Sequence, residues 1–477
     1  MEVAGNVGFS SSLLDSHTLR SSQYDLFDTP RYTKDVIQHD ERYFYPAKMD
    51  DDAGPFEILI TGNGTQFMQM DKARLEIWLE YLVKDIDTGY ERKLADKHDA
   101  SVVPFPASSF FKDVRVKVAH MEVPELTQNA YAYKAYIENL FETTMENRDV
   151  YFRSQVGLID IPGLYADGDV WKNWGSYAEG SSKLPPRIDA EGKPDPDNVR
   201  AAEIWQRKDY MKDNNPCFIS SPLHLDFLSQ HKCFPPNLSM SLIFERNSDA
   251  FVCLSKIPLT TATVRMRIDK MRIVVPCVTL HPDLSTKLLS SWESRPITYY
   301  YQHVQPRTFH LPQHAQYWEE RDISHGVLPK SLFVVFVSTT NYNGNVNNSP
   351  FIFENLGITR FELTRDGQVM NKFTIEPDFH NEKDGFEAYN HFLKNTKKEK
   401  ENSIITMTEF KRDYTIFSFD LTNDFNNNFN LYEPQFGTLG VNVRFPPLGK
   451  SYVAICFFVY TKSLTLDKDL RVSVTDI

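Results

Sequence analysis

The sequence lacks the short motifs that mark common catalytic and cofactor sites. It contains no GxSxG nucleophile elbow, no HExxH zinc motif and no GxGxxG dinucleotide loop. LGKS at 448–451 resembles the end of a phosphate-binding loop, but Arg444 stands where that loop needs its first glycine. Pro446, Pro447 and Gly449 instead predict a turn between two strands. We therefore expect no enzyme, no catalytic residue and no cofactor.

Cysteine is sparse, and its spacing excludes two further classes of protein. The five cysteines form no CxxC pair: Cys217, Cys233, Cys253, Cys277 and Cys456. An odd number of distant cysteines indicates neither a zinc site nor a dense disulfide framework. Reduced thiols in an intracellular compartment are the expectation, and no metal site is predicted from these residues.

Long apolar runs and an excess of basic residues are also missing. No segment approaches the roughly 18 apolar residues of a membrane span, and the N-terminus has no basic start followed by an apolar stretch. Acidic residues outnumber basic ones by 64 to 52, which gives a formal charge of −12. This excess of acidic residues argues against a surface that binds the phosphate backbone of nucleic acids, so no direct, specific nucleic-acid binding is predicted.

The chain is rich in the apolar and aromatic residues that form hydrophobic cores. Hydrophobic residues make up 41% of its 477 residues, with 34 Phe and 23 Tyr, and this length suits two cores better than one. Residues 1–52 are polar and are predicted to be an N-terminal arm. Residues 53–276 are predicted to form a first domain, and residues 277–477 a linker helix and a second domain.

Period-two alternation dominates both predicted domains. Apolar residues alternate with charged ones across 74–83 and 113–118, again across 238–244 and 264–269, and beyond the linker in five segments, 333–337, 361–363, 417–419, 439–445 and 453–459. Leu223, Leu225 and Phe227 predict one more strand. Helices are few: an apolar stripe at helical spacing predicts one over 130–144, Pro282 begins another, and a third is predicted around 386–392. Irregular loops are expected over 145–222 and a solvated loop over 394–402.

Many short strands joined by loops of unequal length are typical of jelly rolls. The fold class predicted is all-β, with two consecutive jelly-roll β-sandwiches and few short helices. A pair of immunoglobulin-like domains is the structural alternative, but turn signals every 8 to 12 residues or so are missing.

One pair of residues has the spacing of a metal site. His224 and Asp226 form the His-x-Asp pattern of a non-haem iron triad, for which His281 is a distal ligand candidate and Arg295 a partner for an oxo-acid. In a strand, however, both side chains would lie opposite the apolar residues of 223–227 and face solvent. The solvated strand face is the preferred interpretation, and no metal ligand is assigned.

Nine segments, taken in their order along the chain, resemble the major capsid protein of Polinton or Maverick elements and of the related adintoviruses. These are DLF (25–27), ITGNGTQFMQMDKARLEIWLEYLV (60–83), YKAYIENLF (133–141), PLHLDFLSQ (222–230), RNSDAFVCL (246–254), LPKSLFVVFV (328–337), NGNVNNSPFIFENLGITRFELTRDGQ (343–368), IEPDF (375–379) and YTIFSFDLTND (414–424). The resemblance runs from about residue 23 to the C-terminus.

This resemblance implies a double jelly-roll capsid protein and a set of partners. A homotrimer with a pseudo-hexagonal outline, packed among neighbouring capsomers and a separate penton protein, would build an icosahedral virion inside the host cell. Two similar sandwiches per chain would give a trimer about six similar lobes, which suits a lattice. Two other functions remain open at this point, a carbohydrate-binding jelly roll and a jelly-roll enzyme using iron at His224 and Asp226.

Overall fold

The computed structural model describes most of the chain from Asp35 onward. The described residues are 35–49, 55–95, 98–119, 121–123, 130–160, 202–212, 215–257, 260–377, 379, 385–396, 403–422 and 434–476. The DLF motif, most of the predicted arm, residues 161–201 of the predicted loop and residues 397–402 lie outside them.

Twelve strands are found in the first half of the described chain. They are β1 (Val36–Phe44), β2 (Phe56–Thr61), β3 (Phe67–Met68), β4 (Arg74–Asp85), β5 (Glu91–Lys93), β6 (Ala100–Val102), β7 (Phe111–Val118), β8 (Met121–Val123), β9 (Cys217–Pro222), β10 (Ser239–Arg246), β11 (Cys253–Ser255) and β12 (Ala262–Leu280). One sheet has the order β1-β12-β4, with β5 and β9 both paired to β4 and β3 paired to β12. The facing sheet has the order β2-β10-β7-β8, and β6 pairs with β11.

Nine strands follow in the second half. They are β13 (Ile297–Leu311), β14 (Tyr317–Val327), β15 (Ser331–Ser338), β16 (Arg360–Arg365), β17 (Gln368–Val369), β18 (Phe417–Asp420), β19 (Phe436–Arg444), β20 (Tyr452–Leu466) and β21 (Val472–Asp476). One sheet has the order β13-β20-β15-β18, with β21 also on β20, and the other has the order β14-β19-β16-β17.

The two halves repeat one topology. In each, the first long strand pairs with the last, which pairs with a strand from the middle, and the second sheet is built from the strands in between. All of these pairings are antiparallel, and the two sheets of each half enclose an apolar interior. This is a jelly-roll β-sandwich twice over, which confirms the fold class predicted from the sequence. The boundary at 276/277 stays a prediction; β12 continues through Pro276 to Leu280.

Helices occupy the connections. They are α1 (Pro106–Ser109), α2 (Tyr131–Glu142), α3 (Met145–Asn147), α4 (Ala202–Met211), α5 (Asp249–Val252), α6 (Pro282–Ser294), α7 (Thr339–Tyr342), α8 (Phe386–Asn395) and α9 (Met407–Arg412), with a π-helix at Arg148–Phe152 and 3₁₀ turns at Met70–Lys72, Asp226–Ser229 and Asn371–Phe373. Helices α2, α6 and α8 confirm the three predicted. Helix α9 was missed, although Thr406 and Glu409 form its capping box.

Three predictions of local structure were wrong. Residues 223–227 are not a strand, because β9 ends at Pro222 and a 3₁₀ turn begins at Asp226. The predicted loop at 145–222 contains α3, the π-helix, α4 and β9. Residues 36–44, which the sequence placed in the arm, form a strand paired with β12; their polar composition fits a strand whose exposed fraction is high.

Helix α2 joins the two jelly rolls through aromatic contacts. Tyr136 stacks on Phe351 with ring centroids 4.3 Å apart, and Tyr133 stacks on Tyr342 at 5.8 Å. Both tyrosines are fully buried. Because such rings contribute large apolar areas, this contact makes the interior continuous between the two halves.

Candidate functional site

The His224–Asp226 segment, which follows β9 in the first jelly roll, has an unusual backbone conformation. His224 has a φ of 49° in the left-handed region, which side chains other than glycine rarely adopt. The turn directs the His224 carbonyl toward helix α2, where Lys134 Nζ donates a 2.7 Å hydrogen bond to it. Asp226 then begins the 3₁₀ turn. Both side chains are buried, so the prediction of a solvated face was wrong.

Both carboxylate oxygens of Asp226 are bonded, one within the first jelly roll and the other to the second. Oδ1 lies 2.9 Å from Lys134 Nζ in α2. Oδ2 accepts hydrogen bonds from the Val304 backbone N–H at 2.8 Å and from His303 Nδ1 at 3.2 Å, both in β13. The Lys134, Asp226 and His303 side chains are only 4%, 8% and 4% exposed. A charged bridge with little exposure to solvent therefore crosses the junction.

His224 is held by a second set of partners on the same helix. Its Nδ1 lies 2.9 Å from Glu138 Oε2, and its Nε2 lies 3.2 Å from Asn139 Nδ2, which also donates to the Ala135 carbonyl. Because the amide nitrogen donates, Nε2 acts as acceptor and the Nδ1–H donates to Glu138. Glu138 also pairs with Lys134 at 3.0 Å, so the two sets of contacts form one network.

The electrostatics of this network favour the ionised carboxylate. Burial alone raises the pKa of Asp226, but the Lys134 ammonium and the His303 hydrogen bond outweigh it and hold that pKa below its ordinary value. Nearby, burial and the Glu138 charge raise the pKa of Glu142. Removal of one partner from a buried ion pair lowers the free energy of unfolding, because the charge of the other partner is then less well compensated.

The structure does not assemble the iron site considered from the sequence. Asp226 is bonded to Lys134 and β13, whereas both ring nitrogens of His224 face Glu138 and Asn139. His281 precedes the first residue of helix α6, with its Nδ1 3.7 Å from Asp283 Oδ2, and Arg295 follows the end of the same helix. Among the described residues, no group of three or more His, Cys, Asp or Glu is placed to hold a metal ion.

A groove of about 730 Å³ lies next to this network. Lys134, Glu138 and Asp226 border it from the first jelly roll, and Phe333 and Phe457 from the second. Its walls combine apolar side chains, such as Phe141 and Val459, with polar ones, such as Gln302 and Thr461.

The LGKS turn lies at a second, polar groove of about 870 Å³. It connects β19 to β20, as predicted, and Lys450 pairs there with Glu354 at 2.7 Å. Tyr452 donates to the other oxygen of that carboxylate, also at 2.7 Å. The Lys450 ammonium is thus neutralised by a carboxylate of its own chain, unlike the lysine of a phosphate-binding loop.

Comparison with known proteins identifies the fold. No protein-family model matches the chain, and no curated protein matches it by sequence. Among solved structures, a chain of the Sputnik virophage gives a TM-score of 0.61 at 12% identity, covering 96% of this chain and 92% of that one. The mavirus major capsid protein gives 0.54 at 9% identity, covering 97% and 94%. This chain is similar to these viral proteins across its whole length and has the double jelly-roll fold.

Sequence reasoning found two members of the buried network and missed its other charged members. Lys134 and Glu138 lie on the polar side of the predicted helix α2, and His303 lies in β13, a strand that the sequence pattern did not predict. The spacing of Lys134 and Glu138, four residues apart, is the pattern of a helical ion pair and was the one available signal. In the part of the chain that is described, no helix is long and apolar enough to cross a bilayer.

Proposed function

We propose that this protein is a structural subunit of a viral or virus-like capsid. The observation that carries the proposal is the whole-chain likeness to the Sputnik chain and the mavirus major capsid protein, which includes both jelly rolls. The fused junction supports it. Aromatic stacking and a buried ion bridge fix the two jelly rolls to each other, and a shell subunit needs such a rigid shape to occupy a lattice.

The proposed assembly is a homotrimer with a pseudo-hexagonal outline. Two copies of one topology in each chain give three chains six similar lobes, which can pack as hexagons in an icosahedral shell. Neighbouring capsomers and a separate penton protein are the proposed partners, and the virion, assembled inside the host cell, is the proposed location. The motifs between residues 60 and 424, which occur in the same order as in the major capsid proteins that the chain resembles, support an origin in Polinton or Maverick elements or adintoviruses.

A non-enzymatic role agrees with the chemistry of the junction. Lys134, Asp226 and His224 are each bonded to partners of the same chain, and the contacts of Asp226 with β13 join the two jelly rolls. Ion pairs that bond structural elements in this way perturb pKa values without catalysis.

Electron microscopy of the purified protein, combined with light scattering, tests the proposal. We expect a particle of three chain masses that shows a hexagonal outline, and closed shells when the penton protein is co-expressed. A chain that stays monomeric at high concentration and forms neither trimers nor shells would contradict it. Metal analysis and a glycan array on the same sample test the iron and carbohydrate alternatives.

A further inference from the structure

The two jelly rolls also meet at helix α9 of the second. Arg148 of the π-helix in the first jelly roll pairs with Glu409 of α9, with Nη1 and Oε1 3.6 Å apart. The Tyr414 hydroxyl, two residues after the end of α9, donates a hydrogen bond to the Asp160 carbonyl of the first jelly roll. We call these two contacts, Arg148–Glu409 and Asp160–Tyr414, the α9 junction.

Asp160 also belongs to a buried cluster with helix α4. Arg207 of α4 is fully buried, and its Nη2 lies 2.6 Å from Asp160 Oδ1. The other two guanidinium nitrogens donate to backbone carbonyls, Nε to Val102 at 2.8 Å and Nη1 to Leu158. All three nitrogens of Arg207 are therefore bonded, and its charge is balanced by Asp160.

Glu203 adds a second carboxyl group to this cluster. It lies four residues before Arg207, on the same face of α4, and its Oε2 is buried without a hydrogen-bond partner among the described residues. The described charged groups that act on it are Asp160, Arg207 and Arg148. Burial raises the pKa of Glu203 to about 7, and the Asp160 charge contributes to the rise. The charge of this carboxyl group therefore changes near neutral pH.

Arg148 is the cation that can move to an ionised Glu203. A buried carboxylate lowers stability unless a cation or hydrogen-bond donors compensate it. Arg207 is held by three acceptors. Arg148 makes one ion pair within the described ranges, and its 3.6 Å separation exceeds that of a direct hydrogen bond. Rotation of the Arg148 side chain toward Glu203 would break the pair with Glu409 and weaken the α9 junction.

We propose that Glu203 is a pH-sensitive switch of the α9 junction. When Glu203 is neutral, Arg148 stays on Glu409 and the junction is closed. When Glu203 ionises, Arg148 pairs with Glu203 instead, and α9 separates more readily from the first jelly roll. The Asp226 bridge to β13 involves none of these side chains, so the response is confined to α9. The inference goes beyond the proposed function, since it concerns one subunit and holds whether or not the chain forms shells.

Hydrogen exchange of the intact protein at about pH 6 and about pH 8.5, corrected for the intrinsic pH dependence of exchange, tests the inference. Protection of α9 should fall about tenfold at the higher pH, because ionisation gains a factor of ten for each unit above the pKa of Glu203. Glu203→Gln keeps the size of the side chain without its charge, and its protection should be equal at both pH values. Asp209→Asn is the matched control, because Asp209 lies on the same helix with a side chain 50% exposed; its pH response should match that of the unchanged protein.

Arg148→Gln provides an independent variant. The Arg148 side chain is partly exposed, so the chain should keep its fold, which circular dichroism will check. Protection of α9 should be low at both pH values, because Glu409 then lacks its partner in either state of Glu203. Protection of α9 in the unchanged protein that is equal at both pH values, or a pH response that persists in Glu203→Gln or Arg148→Gln, would overturn the inference and leave the capsid proposal standing. A chain that shows the expected response but forms neither trimers nor shells would overturn the capsid proposal alone.

Discussion

Two central strands, β4 of the first jelly roll and β20 of the second, differ in how their side chains are buried. In β4, residues 74–79 alternate between buried and partly exposed side chains. In β20, residues 452–459 are all buried. The difference arises because both faces of β20 are covered over residues 452–459, whereas only one face of β4 is covered over residues 74–79. A continuously apolar strand in a jelly roll therefore indicates that both of its faces are covered. A strand in which apolar and polar residues alternate indicates that only one face is covered.

The first jelly roll supplies part of that second layer. Phe141 of α2 contacts Phe333 of β15, next to β20, with ring centroids 5.2 Å apart. It also contacts Phe392 of α8 at 5.9 Å. The second jelly roll thus depends on the first for its covering, and changes at the junction should affect the two halves unequally.

Removing the Asp226 carboxylate should have the largest effect. Asp226→Ala removes one of the two carboxylates that pair with buried Lys134 and the acceptor of the Val304 N–H, and it should lower the free energy of unfolding by about 3–5 kcal/mol, measured by urea denaturation. Asp283→Ala is the control, since Asp283 is 84% exposed beside His281, and should change it by less than about 0.5 kcal/mol. Lys134→Met combined with Asp226→Leu should recover part of the loss. Equal effects of the two aspartate changes would contradict the bridge.

The same bridge predicts a pH dependence. Because the pKa of Asp226 is lower in the folded protein, its contribution is present above the unfolded pKa of about 4 and is lost as pH falls through the folded value. The stability difference between the unchanged protein and Asp226→Asn should therefore shrink as urea unfolding is repeated at decreasing pH below about 4. A constant difference at every pH would refute the assignment.

A buried carboxylate in α4 of the first jelly roll should show the opposite sign. Burial raises the pKa of Glu203 to about 7, and its Oε2 lacks a hydrogen-bond partner. The folded state therefore keeps a proton that the unfolded state releases, and stability falls as pH rises from about 4 through 7. Glu203→Gln should be more stable than the unchanged protein at pH 8 by about 2–3 kcal/mol and no more stable at pH 4, by thermal melting. A benefit independent of pH would contradict this.

Truncating the aromatic contact over β15 should have the smallest effect. Phe141 is half-buried, so Phe141→Ala should cost about 1–2 kcal/mol, less than a fully buried phenylalanine. Hydrogen exchange should increase in β15 and β20 more than in β4, since only the former lie under this contact. Phe386→Ala is the control at a residue 53% exposed. Equal protection losses in β4 and β20 would break the comparison between the two jelly rolls.

The strands and main helices could be predicted because their side-chain periods are local. β7 and β10 lie where alternation placed them, and α2 and α6 where their apolar stripe and Pro282 did. Strand β1 could not be predicted, because VIQHDERYF is an edge strand with most side chains exposed, and such strands carry no apolar alternation.

The buried network could not be predicted because its members meet only in the folded chain. Asp226 contacts residues in α2 and β13, far away in sequence on either side. The left-handed conformation of His224, at a residue other than glycine, gives no signal in the sequence. A strand over 223–227 would place the His224 and Asp226 side chains in solvent, so their burial was not predicted.

The pairing of the first strand of each half with its last long strand has a consequence for biosynthesis. Val36 of β1 pairs with Leu280 of β12, so the first jelly roll lacks a complete sheet until the ribosome has passed that residue. Contacts so distant in sequence form slowly. Asp226 and Lys232, whose side chains bond the edge of β13, are synthesised before β13 itself. A first jelly roll that closes before β13 is made can therefore cover this edge strand, which shortens the time that the strand spends exposed in the cell.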